Sequence, residues 1–185
     1  MKCSNGFKAG VMLALLSIGL TVPLGQAADV PKELAVKYIL ATVKAFRTVY
    51  VHNIIEHLKK AGVQPKEGWS KDDHAIMLPF QFVKMGDVEL KGEIKGIEVG
   101  LISLTPIYTS NFPKTQAELD ALKTMMASPT QTVITFADGI QFKGIAADFA
   151  IEQVCADCHN AHPNSPKKDF KKDDLMGAIV VRLKN

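Results

Sequence analysis

Five residues near the end of the chain, Cys155-Ala156-Asp157-Cys158-His159, carry its most specific chemistry. C-x-x-C-H is the attachment pattern of c-type haem. Two thiols add across the two vinyl groups of a porphyrin. Their separation lets them straddle one macrocycle edge, and the adjacent histidine falls under the iron. The pattern predicts one covalent haem c, bound by Cys155 and Cys158, with His159 as the proximal axial iron ligand. Other chemistries fit the same residues less well. A thiol redox pair expects a βαβ setting, whereas this pair follows a predicted hairpin. A zinc site wants four ligands. Cys155, Cys158, His159 and His162 crowd together as an isolated knuckle, which leaves the rest of the domain without a purpose. A zinc- or disulfide-stabilised structural module is the alternative of a different class.

Haem iron has a second axial position, and its occupant separates electron transfer from ligand binding. The candidates are His52, His57, His74 and His162, with Met77, Met85, Met125, Met126 and Met176. His162 lies too near His159 to reach the opposite ring face easily. A methionine is more often core filling, and His74 sits in a polar, loop-like stretch. His52 and His57 share a long predicted helix and point roughly 140° apart at about 100° per residue. His57 falls on the apolar stripe. His52 lies on a face with Ala41, Ala45 and Thr48, where small side chains would let a flat macrocycle approach. Spacing alone leaves these two open. Lysines and Arg182 are candidate partners for the haem carboxylates.

The elements that must position these residues follow from periodicity. Residues 32–60 read as one helix, with Val36, Ile39, Val43, Phe46, Tyr50 and His57 on a repeat of three and four in which only the slot at Asn53 is non-apolar, and Gly62 as a stop. Residues 63–87 give no single clear element: Trp69–His74 looks like loop, and Pro79 interrupts the apolar run Ala75–Val83. Alternation from Val88 to Leu104 predicts one or two strands. Thr115 and Glu118 form a capping box for a helix to about Met126. Thr132–Phe136 and Ile140–Ile145 flank Asp138-Gly139, a strong hairpin signal. The cysteine–histidine motif is expected in a loop, followed by a polar stretch to Asp174. A last strand, Gly177–Leu183, places Ile179, Val181 and Leu183 on one face. Neighbouring strands of this kind imply an antiparallel sheet with helices on one side, an α+β domain.

The 185 residues suit one domain. Lys2 and Lys8, the apolar run Val11–Leu20, Pro23 and Gly25-Gln26-Ala27 predict a signal peptide over residues 1–27 and a single mature domain over 28–185. The run is short for a membrane span, so export to the periplasm is favoured over an uncleaved anchor, with no stable membrane insertion after cleavage. Losing Lys2 and Lys8 leaves 20 of the 22 basic residues against 19 acidic ones. A nearly neutral chain has no footprint for nucleic acid. Cys3 leaves with the signal, so Cys155 and Cys158 are the only mature cysteines.

Four passages resemble the PAS-like single-haem c-type domain family. Its members occur as exported haem proteins and as extracytoplasmic sensor domains of bacterial signalling proteins. The passages are Phe46-Arg47-Thr48-Val49-Tyr50, Ile102-Ser103-Leu104-Thr105-Pro106 leading to Asn111-Phe112-Pro113, residues 155–159, and Asp174-Leu175-Met176-Gly177-Ala178-Ile179-Val180-Val181. The resemblance implies a PAS-like antiparallel β-sheet with a long N-terminal helix and covalent haem beside the sheet. Some standalone relatives use a first-helix cysteine as the second axial ligand, and the matching position here is His52. No mature cysteine is available there, so the resemblance tips the distal assignment to His52, with His57 as runner-up, and implies bis-histidine ligation.

Two functions follow as expectations. One is an exported monohaem cytochrome that transfers or senses electrons with an unidentified redox or signalling partner protein, and a homodimer is allowed. The other is a sensor in which nitric oxide or carbon monoxide displaces a weakly held distal ligand. No nucleophile–base pair suggests an enzyme, although an open iron position would permit peroxidase-like chemistry.

Overall fold

The computed structural model describes residues 29–128 and 130–184, so the predicted signal peptide lies outside the described residues. The chain begins with helix α1, Lys32–Val49, which runs on through a π-helical segment, Tyr50–Ile55, into α2, Glu56–Lys60. The single helix expected over 32–60 is therefore continuous but widened by one π turn, in which the Glu56 amide donates to the Val51 carbonyl. Two short parallel strands follow, β1 Gln64–Pro65 and β2 Ala75–Ile76. Helix α3, Pro79–Glu93, precedes strand β3, Ile97–Ile102. Helix α4 is Gln116–Ala127, and strands β4 Val133–Asp138 and β5 Gln141–Phe149 form the hairpin. Helix α5, Gln153–Ala161, and strand β6, Leu175–Lys184, complete the domain.

The main sheet has the order β3-β6-β5-β4, and every pair is antiparallel. The α+β architecture expected from the sequence is the one observed. The helices, however, cover both faces rather than one. On the first face α1 and α3 bury Val36, Leu40 and Val83 against Val99, Ala146, Ile179 and Val181. On the second face α4 buries Ala121, Leu122 and Met125 against Ile102, Ile145, Ala147, Ala178 and Val180. The strands alternate between these cores, as a period of two requires. Ile179 and Val181 share the first core with Leu183 packed beside them, as expected. Gly144 lets α1 settle closely on the sheet: a Cβ there would lie 2.4 Å from Val36 Cγ1.

Two elements differ from the expected ones. Residues 79–93 form α3, taking in a run that the sequence left unassigned and the stretch from Val88 that was expected to be strand. Pro79 starts this helix instead of breaking the run, since a first-turn residue needs no amide hydrogen bond. The Leu78 amide is capped by the Gln81 side chain at 2.9 Å. The motif lies on α5, not in a loop. The hairpin closes between Asp138 and Gln141, so its two-residue turn is Gly139-Ile140, with Gly139 at φ 60°.

Candidate functional site

The buried stripe of α1 is Val36, Leu40 and Arg47, continuing into Tyr50, Val51 and Ile55. Phe46, expected on that stripe, is 62% exposed. The stripe is displaced because it contains a charge. Arg47 reaches the sheet through an ion pair, Nη2 to Asp148 Oδ1, at 2.9 Å. The π segment then seats against the start of α3. Tyr50 stacks on Phe82 with ring centroids 4.5 Å apart, and its hydroxyl donates to the Met77 carbonyl at 2.7 Å.

Helix α5 is fixed from the opposite side. Ala156 is fully buried among Ala150, Phe170 and Met176. The Asn160 side chain donates to the Phe170 carbonyl at 2.8 Å and accepts from the Phe170 amide at 2.9 Å, pinning the returning loop to the helix. Phe170 meets the His159 ring edge-on, centroids 5.7 Å apart.

Between these walls lies a cavity of about 340 Å³ at one end of the sheet, within the size range of small-molecule sites. Helix α1 contributes Arg47. The start of α3 contributes Leu78, Pro79 and Phe80, and the strand ends contribute Leu101, Ile102, Asp148 and Gly177. Helix α5 contributes Cys155, Cys158 and His159, with His162 just beyond it. Separations of three and four put Cys155, Cys158 and His159 on one helix face, so the predicted attachment residues converge on a single apolar space.

Both cysteines are free, and burial pushes both thiols above their ordinary pKa. A reactive redox pair needs a lowered thiol. Among the described residues no group of three or more His, Cys, Asp or Glu is arranged to hold a metal ion. Burial, with the nearby charges of His162 and Arg47, lowers His159 to about 4. Its Nδ1 is enclosed and has no hydrogen-bond partner. A neutral imidazole is the form that ligates a metal.

The expected distal ligand is placed differently. His52 is not on the cavity wall. Its side chain is 41% exposed, and Nδ1 lies 2.7 Å from Glu152 Oε1, at the N-terminal cap of α5. The small-residue face of α1 that carries it, with Ala41 and Ala45, turns to solvent. His57 and His74 are exposed, as are Met85 and Met126, and Met125 lies in the core beneath α4. His162 and Met176 do line the cavity. Arg182 is not on its wall; it belongs to a buried network on the second sheet face with Glu118 and Glu98.

Sequence reasoning missed Arg47, Asp148 and a cluster at the cavity edge. Tyr108 donates to Glu67, and His162 Nε2 stands 3.4 Å from the same carboxylate. Burial and that carboxylate push Tyr108 up to about 12. The available signal was a charged residue in register with the apolar stripe of α1, at Arg47.

A crystal structure of the cyanobacterial haem protein Tll0287 has the same fold, with a TM-score of 0.60 at 14% sequence identity, covering 85% of this chain and 98% of that one. No curated protein matches the chain. A family model described as Tll0287-like matches residues 26–183, which include the helix, the sheet and the motif. The chain belongs to the Tll0287-like family.

Proposed function

We propose that this chain is an exported haem c protein that transfers or senses single electrons. One observation carries the proposal: Cys155, Cys158 and His159 line one apolar cavity, with both thiols free and the imidazole neutral and untethered. Membership of the family of Tll0287, itself a haem protein, supports haem here. The two thiols would hold the group through thioether bonds, and His159 would supply the proximal ligand. When bound, the haem supplies a one-electron couple. The protein keeps His159 neutral by burial, excludes water with Ile55, Leu78 and Ile102, and braces the helix through Asn160 and Phe170. Residues 1–27 would direct export, and a separate redox or signalling protein would be the partner. No described helix is long and apolar enough to cross a membrane.

A second reading is favoured by the position of His52. With that ring held by Glu152 and off the cavity wall, the side opposite His159 would accept a small exchangeable ligand, such as nitric oxide or carbon monoxide. A reduced-minus-oxidised absorption spectrum of the purified protein, with and without carbon monoxide, tests both readings. The absence of haem bands removes both. Bands unmoved by carbon monoxide favour electron transfer, and a prompt shift favours ligand sensing.

A further inference from the structure

Arg47 is 7% exposed, and it is the one Lys or Arg among the described residues that line the cavity. Its guanidinium has five donors. Asp148 meets Nη2, but Nε is enclosed and has no partner. Asp148 lines the cavity too, and burial raises its carboxyl against the opposing charges of Arg47 and Lys44. Arg47 also acts electrostatically on His159 and Cys155. A buried ion pair is weak evidence for stability, since apolar residues often do as well. An incompletely satisfied buried guanidinium calls for an explanation. Its position on the wall of the attachment cavity supplies one.

We propose that Arg47, held by Asp148, is the anion-recognition residue of this cavity, taking an oxygen acceptor of carboxylate or small-oxyanion chemistry. Guanidinium suits such acceptors because its planar fork matches their geometry. This rests on the haem reading above. The acceptor has two sources: the carboxylate of the prosthetic group itself, or a free small anion entering beside the iron. Asp148 orients the arginine and offsets its charge, so that an anion is held without an unpaired cation when none is there.

The test uses the haem-loaded protein and the double variant Arg47→Gln with Asp148→Asn, a neutral pair of similar volume. Native protein without haem bands sinks the haem reading itself, before any variant is compared. With bands present, two measurements are made: a sodium formate titration of the ferric spectrum against sodium chloride at equal ionic strength, and the reduction potential between about pH 5.5 and 8. A saturable formate response that weakens by about tenfold or more in the double variant, the loss of a charge-assisted contact, supports the proposal with a free anion as the source. No formate response, with a potential that gains pH dependence only in the double variant, supports it with the prosthetic carboxylate as the source. Removing Asp148 ensures that the new titration is not its own. A double variant that matches native in both measurements overturns the proposal. Should that variant not fold, Arg47→Lys keeps the charge and loses the fork. Unchanged readings there overturn the proposal, and a weakened formate response or a new pH dependence supports it.

Discussion

His52 Nδ1 lies 2.7 Å from Glu152 Oε1, which joins the π-helical segment after α1 to the N-terminal cap of the helix that carries the cysteine–histidine motif. The contact braces two walls of the cavity from outside. His52→Ala should therefore leave the ferric and ferrous spectra of the loaded protein unchanged. It should lower stability by no more than about 1 kcal/mol, as for a partly exposed polar contact. Loss of the low-spin bands in that variant would restore His52 as an axial ligand.

His159 is expected to matter for coordination and not for attachment. His159→Gly should keep haem bound to both cysteines, with a changed spectrum that added imidazole restores. Absorption before and after imidazole checks this. A spectrum indifferent to the substitution would move the proximal ligand elsewhere.

Gly144 sets the distance between α1 and the sheet, since a Cβ there would meet Val36 Cγ1 at 2.4 Å and Leu40 Cδ1 at 3.1 Å. Gly144→Ala should cost about 1–3 kcal/mol through overpacking, read as a lowered denaturation midpoint at unchanged denaturant slope.

Glu118 anchors the other sheet face. It is fully buried and binds Arg182 through two hydrogen bonds and Lys143 through one. Burial raises its carboxyl, but Arg182, Lys143 and the Lys114 amide outweigh that and hold it at about 2. The folded pKa lies below the ordinary value of 4.5, so the stability Glu118 contributes is present above pH 4.5 and is lost as pH falls from there to about 2. That contribution is roughly 3 kcal/mol. Glu118→Gln should destabilise the fold by about 1–3 kcal/mol at neutral pH, because Arg182 and Lys143 lose their shared buried carboxylate and keep only their pairs with Glu98 and Asp138. It should also flatten the acid limb of the stability–pH curve, measured by denaturant titration at several pH values.

The chemistry was legible in the sequence wherever one short pattern encodes one job. Cys155, Cys158 and His159 announce themselves by spacing, and the hairpin by Asp138-Gly139. The antiparallel sheet followed from neighbouring strand patterns. What escaped detection depends on tertiary partners. Pro79 looked like a break, because its role as a first helical residue depends on the cap that Gln81 makes. Arg47 was given no role in the sequence, because its partner Asp148 lies 101 positions later. The face of His52 could be read either as a bed for a macrocycle or as open to solvent; it is exposed already at Ala41 and Ala45, which spacing alone does not show. Helical spacing also puts Cys155, Cys158 and His159 on one face of α5, an arrangement that a loop would not have specified.

The central claim is that Cys155 and Cys158 hold a haem covalently. Intact mass of the exported, purified protein, compared with the Cys155→Ser/Cys158→Ser double variant, tests it most directly. The native chain should carry the added mass of one haem and keep its colour through acid–acetone extraction, and the double variant should show neither. A native mass equal to that of the bare polypeptide would contradict the account.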